Sequence, residues 1–186
     1  MTEYQHLNLV KLPDNFRGRS IFVVQLWWII QSTLFGCSPQ FMYGWRNLLL
    51  RAFGSKVGNN VKVRPTVRIT FPWKVKLGDY CRVGDEVVLY SLGTIKVGSH
   101  SVISQRSYLC AGSHDYTDET FQLYTKPVTI GEQVWVAADV FVGPGVKLGD
   151  GCVIGARSSV FNDMPEGMVC YGYPAKPIKR RLDVSE

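Results

Sequence analysis

The sequence predicts a mainly β protein, a parallel β-helix of hexapeptide repeats behind a helical N-terminal segment. One observation is an aliphatic residue followed by glycine that recurs at Val57-Gly58, Leu77-Gly78, Val83-Gly84, Val97-Gly98, Ile130-Gly131, Val142-Gly143, Leu148-Gly149 and Ile154-Gly155. The glycines are spaced by multiples of six or by two more, which points to small bulges; one step of 33 must hold an insertion or a frame shift. A six-residue period is the signature of a β-helix. The second observation is a small or apolar residue four positions beyond each aliphatic one, at Val61, Val67, Cys81, Val87, Ser101, Ser107, Val134, Val140, Val146, Cys152 and Ser158. Two inward positions in every six residues make a short-sided coil, whose aliphatic ladder is buried only when coils stack. Glycine marks the turns, where no Cβ is tolerated, and Cys81 and Cys152 become corner residues.

Three parts follow: residues 1–54 as a leader with two helices, 55–165 as the β-helix with a loop at about 115–126, and 166–186 as a C-terminal extension. Arg17 to Phe35 reads as one helix, broken around Gly36 and Pro39. Gln40 to Phe53 reads as another, with Phe41, Trp45, Leu48 and Ala52 on one face and Gly54 as its stop. Such helices either cap the open first coil, whose strand edges would otherwise be unpaired, or pack on a neighbouring subunit. A sharper alternative is peripheral membrane contact through the apolar run Phe22 to Ile30, with Arg17 and Arg19 at one end.

Composition excludes several classes. With 46% hydrophobic and 19% charged residues, the 186-residue chain is too apolar for disorder and long enough for one buried core. The uncharged stretch Ser20 to Phe35 is shorter than the roughly 20 residues that span a bilayer, and its acidic, polar leader does not suit a signal peptide. Five cysteines without close pairing suit a reducing cytosol. A net charge of +6 favours anionic partners, leaving nucleic acid, phosphorylated cofactors and acidic membranes open.

The repeat is interrupted between Leu109 and Ile130 by a polar, aromatic segment, and long loops on rigid scaffolds tend to carry function. Tyr116, Phe121 and Tyr124 suggest that this loop packs. His114 stands at its base; of the other two histidines, His6 lies in the leader and His100 in an ordinary repeat turn, so His114 is the well-placed general base. It could instead anchor the loop by a hydrogen bond. A Cys110–His114 dyad would need a sharp reversal of the chain, since four extended residues span about 13 Å. Three scattered histidines do not supply a tri-histidine zinc site.

The runs SQRSYLCAGSHDY and VTIGEQVWVAADVFVGPGVKLGDGCVIGARSSVFNDMPEGMVCYGYPAK, from Ser104 to Lys176, resemble the hexapeptide acetyltransferases of the maltose, galactoside and nodulation type. Within these, the sequence is most similar to the colanic acid biosynthesis acetyltransferases. The resemblance extends upstream to about residue 15. It implies a left-handed β-helix assembled as a homotrimer, with acetyl-CoA in a groove between subunits and no metal. It further implies that His114 deprotonates an acceptor hydroxyl that attacks the thioester directly. Trp135, Ala138 and Ala156 match cofactor-contacting positions, the alanines eighteen residues and thus one coil apart, and Lys179 matches a basic residue near the cofactor's phosphates. Lys176, Arg180 and Arg181 extend that cluster, or form a solvated tail. Many relatives carry glycines after the tryptophan where this chain has Val136-Ala137-Ala138. For the acceptor pocket we single out Tyr90, Ser91 and Asp115, the last as a residue that orients His114 or holds the loop.

The expected activity is O-acetylation of a sugar hydroxyl in exopolysaccharide or surface-glycan assembly. The expected setting is the cytoplasm, at the inner face of the membrane, with a glycan acceptor and no nucleic acid. The alternatives are N-acetylation of an amino sugar or antibiotic-like acceptor, a zinc hydratase on the same β-helix, and a non-catalytic scaffold.

Overall fold

The computed structural model describes residues 4–10, 12–13 and 15–182. Short strands build three parallel sheets that wrap one core. The first sheet stacks Lys56–Val57, Val75–Leu77, Ile95–Val97, Val128–Ile130 and Lys147–Leu148. The second stacks Lys62–Val63, Arg82–Val83, Val102–Ile103, Trp135–Val136 and Val153–Ile154, and ends in the hairpin Met168–Gly172 and Ala175–Arg180. The third stacks Arg68–Ile69, Val88–Tyr90, Tyr108–Cys110, Phe141–Val142 and Ser159–Val160. The chain visits the sheets in rotation, so each coil is one turn of a three-sided β-helix.

Both predicted inward registers are inside, except that Val57 in the first coil is only partly buried. Val63, Val83, Ile103, Val136 and Ile154 form one buried column, and all eleven small or apolar positions of the second register are buried. Each aliphatic side chain removed from water contributes roughly 1.5–3 kcal/mol, which suits a stack that no single coil could hold. Ser101 and Ser107 replace apolar residues just before the interruption. Their hydroxyls donate to Gly131 O and Ala137 O at 2.8 Å each, and accept from Val134 N and Val140 N of the coil beyond it.

The glycines work differently from the sequence expectation. Gly98 does not take a left-handed φ; an added Cβ there would lie 2.5 Å from Gly131 C and O, so the missing side chain permits close coil stacking. The left-handed turn conformation falls to the non-glycine residues Asn60, Tyr80, His100 and Gln133, with Gly151 in the last coil, at the corner between the first and second sheets, and to Glu86, Arg106, Asp139 and Arg157 at the next corner. His100 is thus a turn residue, with its ring stacked on Tyr80 at 4.9 Å.

The helical segment caps the first coil. Helix α1 spans Ile21–Ile30 and continues as one π-helical turn over Gln31–Phe35, while Arg17 to Arg19 lie outside it. Helix α2 spans Tyr43–Ala52. Of the face singled out in the sequence, Trp45 packs partly buried against the core, whereas Phe41 is 79% and Leu48 56% exposed and Ala52 is exposed; Arg46, Asn47, Leu49 and Leu50 form the buried side. The reason is chemical, because the coil edge needs donors. Arg51 donates to Val57 O and Gly58 O, Asn47 to Val61 O at 2.8 Å, Arg46 to Val63 O at 2.7 Å and Trp27 to Ile69 O at 2.8 Å; Gln31 Oε1 accepts from Ile69 N at 2.7 Å. Side chains from the cap therefore meet the exposed edge of all three sheets, which would otherwise be left without partners.

Candidate active site

Stacked residues are 20 apart in the first coils (Lys56, Lys76, Lys96), 33 apart across the interruption (Lys96, Thr129) and 18 apart after it (Thr129, Lys147). All the surplus lies at the third corner, where the chain passes from the third sheet to the first. In the third coil that corner opens into an antiparallel hairpin of Gly112–His114 and Leu123–Thr125.

His114 ends the outgoing strand, half-buried. Its Nδ1 lies 2.8 Å from Phe121 O, and its ring stacks on the Phe121 ring at 4.4 Å with 6° between planes. A carbonyl oxygen can only accept, so Nδ1 carries the hydrogen, and in the neutral ring the lone pair is then on Nε2. Phe121 adopts a left-handed φ of 48° and donates its N–H to Asp118 O at 2.8 Å, which aims its carbonyl at the ring. His114 lines a 460 Å³ cavity with Asp115, Gln122, Tyr124 and Lys126, whose ammonium lies over the Tyr124 ring.

Asp115 holds the loop: its Oδ1 accepts from Thr117 N at 2.9 Å and Thr117 Oγ1 at 2.6 Å, and these bonds keep the carboxyl below the usual carboxylate range. Tyr90 lies at the same corner, partly buried, with its carbonyl accepting from Ala111 N at the hairpin base. Burial, with the neighbouring Cys110, pushes its hydroxyl up. Ser91 leaves the set of acceptor-binding candidates. It is fully buried, and its hydroxyl accepts from Phe71 N at 2.8 Å and donates to Phe71 O at 3.0 Å. Cys110 donates to Gly112 O at 3.0 Å and burial raises its thiol, so it is no nucleophile for a dyad.

The remaining candidates lie elsewhere. Trp135 is exposed on the second sheet, with its indole N–H donating to Ser104 Oγ at 3.0 Å. Ala138 and Ala156 occupy the corner between the second and third sheets, one coil apart, with Arg157 N donating to Ala138 O. Exposed Lys176, Lys179 and Arg180 stand on the last strand of the second sheet. Arg181 has a structural task, donating to Gln133 O at 2.7 Å and Gly151 O at 3.1 Å. Small alanines beside an exposed indole, with exposed cations at the end of the same face, fit an elongated thiol cofactor with phosphate groups. The third sheet separates this strip from the corner that bears His114; a side of about five extended residues is about 16 Å wide. One chain therefore holds the two halves apart. Sequence reasoning missed the Phe121 carbonyl, the Ser104 hydroxyl and Lys126, because a backbone acceptor or a lone polar residue has no motif.

A three-sided parallel β-helix with a histidine-bearing hairpin at one corner defines a hexapeptide-repeat acyltransferase, and residues 127–162 match the family described as bacterial transferase hexapeptide (six repeats). The Escherichia coli K12 protein named "Putative colanic acid biosynthesis acetyltransferase WcaF" is 55% identical over 179 residues, covering 96% of this chain and 98% of WcaF. The chain belongs to the hexapeptide-repeat acetyltransferases, in the group of WcaF. The galactoside O-acetyltransferase of Lactococcus lactis is 31% identical over 142 residues, or 74% of this chain and 68% of that protein. A galactoside acetyltransferase solved in complex with coenzyme A has the same fold, with a TM-score of 0.81 at 24% identity over 91% of this chain and 84% of that one.

Proposed function

We propose that this acetyltransferase moves acetyl from acetyl-CoA to a sugar hydroxyl during surface-glycan assembly in the cytoplasm, with His114 as general base. The observation that carries the reading is the bond from His114 Nδ1 to Phe121 O, which fixes the ring and leaves Nε2 free to take a proton. In the proposed step Nε2 removes the acceptor hydroxyl proton as its oxygen bonds to the thioester carbonyl carbon. The carbon–sulfur bond then breaks, and the proton passes to the departing thiolate. Positioned proton transfer of this kind is typically worth 10²- to 10⁴-fold in rate.

Trp135, Ala138 and Ala156 would hold the pantetheine arm, while Lys176, Lys179 and Arg180 would meet the phosphates. Tyr90 is retained on the acceptor side, and Asp115 shapes the loop. Because the base and this strip lie on different sides of one chain, the reading requires a homotrimer in which one subunit's hairpin reaches the next subunit's groove. Acetyl-CoA thiol release across a panel of sugars, nucleotide sugars and oligosaccharides tests it. Acceptor-dependent release that disappears in His114→Ala is expected; undiminished release would overturn the base assignment, and release with no acceptor class would overturn the transferase reading.

A further inference from the structure

Helix α1 is apolar except for exposed Gln25, close to the pattern of a helix covered on every side, yet only its inner residues Val24 and Trp27 are buried. Phe22, Leu26 and Ile29, at helical spacing on the outside, are 82%, 50% and 62% exposed. Leu34 in the following turn and Leu48 on α2 are also exposed, and Trp45 Nε1 ties these two elements together through Leu34 O at 2.9 Å. The helix is only about 15 Å long, and no helix among the described residues is long and apolar enough to cross a membrane.

Charge identifies the cover. Residues 15–78 contain ten Lys and Arg and no Asp or Glu, whereas the rest of the chain carries eleven basic against fifteen acidic residues. Arg17 and Arg19 stand at the start of α1, in a segment pinned to the second coil by Trp73 Nε1 on Arg17 O at 2.6 Å and by Lys74 Nζ on Phe16 O. Arg68 flanks the helix, lining a groove with Trp28 and Gln31; Glu86, from the next coil, is the acidic residue in that groove. An apolar stripe in a mainly cationic surround suits an interfacial helix on anionic lipid. Two such surfaces meeting face to face would repel.

We propose that α1 docks the protein on an anionic bilayer, with Phe22, Leu26 and Ile29 below the headgroups and Arg17, Arg19 and Arg68 among the lipid phosphates. The test is co-sedimentation of the full chain with vesicles of phosphatidylcholine alone or mixed with phosphatidylglycerol, at low and high salt. It requires no turnover, so it stands or falls apart from the acetyl-transfer reading. Binding to the mixed vesicles is expected, with a loss of about tenfold or more when Arg17 and Arg19 are both changed to Gln, and a comparable loss for the Phe22→Ser, Ile29→Ser double variant. Failure to bind, equal binding to neutral vesicles, or unchanged binding of the serine variant would each overturn the proposal. So would dissociation of a solution oligomer by the serine variant, with circular dichroism unchanged, because the face would then belong to a second copy.

Discussion

If the catalytic site is shared between chains, two separately dead variants must rescue each other when mixed. His114→Ala removes the proposed base while leaving the coils intact, and should cost 10²- to 10⁴-fold. Ala156→Glu puts a carboxylate on an exposed corner residue of the proposed cofactor strip, where it would repel the cofactor's phosphates without touching the core. In a mixed trimer each site draws its hairpin from one chain and its groove from the next. At equal expression either half is intact in half of the sites, so about a quarter of wild-type activity should return. A site formed within one chain would give none, because every chain carries one lesion. The assay is thiol release from acetyl-CoA by co-expressed, co-purified protein, corrected for exposed Cys37, which reacts with the thiol reagent itself. Activity no greater than the sum of the two parents would refute the separation argument, whatever the acceptor.

His114→Asn can keep a donor near Phe121 O while removing the base, so transfer should fall 10²- to 10⁴-fold with the thermal midpoint nearly unchanged; substantial residual turnover in the acceptor assay would contradict the assignment. Gly98→Ala should destabilise by about 1–3 kcal/mol in denaturant unfolding, since its Cβ would collide with Gly131, whereas Gly44→Ala, with nothing within 4 Å, should be neutral or slightly stabilising. In the native protein at pH 8 one thiol should titrate rapidly, because Cys37 is exposed while burial raises Cys81, Cys110 and Cys170, and pushes Cys152 up to about 12. Hydrogen bonds from Arg106 hold the Asp139 carboxyl low, so its stabilising contribution is present above the ordinary carboxylate pKa and lost as pH falls through the folded value. The difference in melting temperature between wild type and Asp139→Asn should therefore shrink in acid.

The six-residue period was legible because each coil exposes the same two inward positions to the same core, so Val61 and Val134 obey one rule although 33 residues of interrupted chain separate Ser101 from Val134. The cap was legible only as two helices. Its orientation was not, because Arg46 is buried against carbonyls of Val63, Pro39 and Gln40 rather than against a carboxylate, and a backbone acceptor leaves no mark in a sequence. The same blindness affects the candidate site. His114 stands out by rarity and by its place at the break, whereas the carbonyl that selects its tautomer belongs to Phe121, which reads as an ordinary loop aromatic. Ser91 misled for the converse reason: a serine beside an irregular step looks available, yet the backbone of Phe71 uses both its donor and its acceptor.

Why the hairpin leaves from the third corner follows from the stacking. At the first corner the left-handed residues Tyr80, His100 and Gln133 each donate to the coil before, on Asn59 O, Asp79 O and Ser99 O. At the second, Arg106 N donates to Asp85 O, Asp139 N to Gln105 O and Arg157 N to Ala138 O, and the Arg106–Asp139 pair adds bonds of 2.7 and 2.9 Å. An insertion at either corner would break a ladder that runs through successive coils. The third corner is bonded between coils in a less regular way, by Ser91 to Phe71 and by Ala111 N to Tyr90 O, and it already absorbs two surplus residues in each of the first two coils before the third coil opens into the hairpin. Extra chain there costs mainly loop-closure entropy, which grows slowly with length. The corner best able to carry a long loop is therefore the one that carries His114, across the third sheet from the alanine strip, and that placement is why the proposed transfer requires a neighbouring chain.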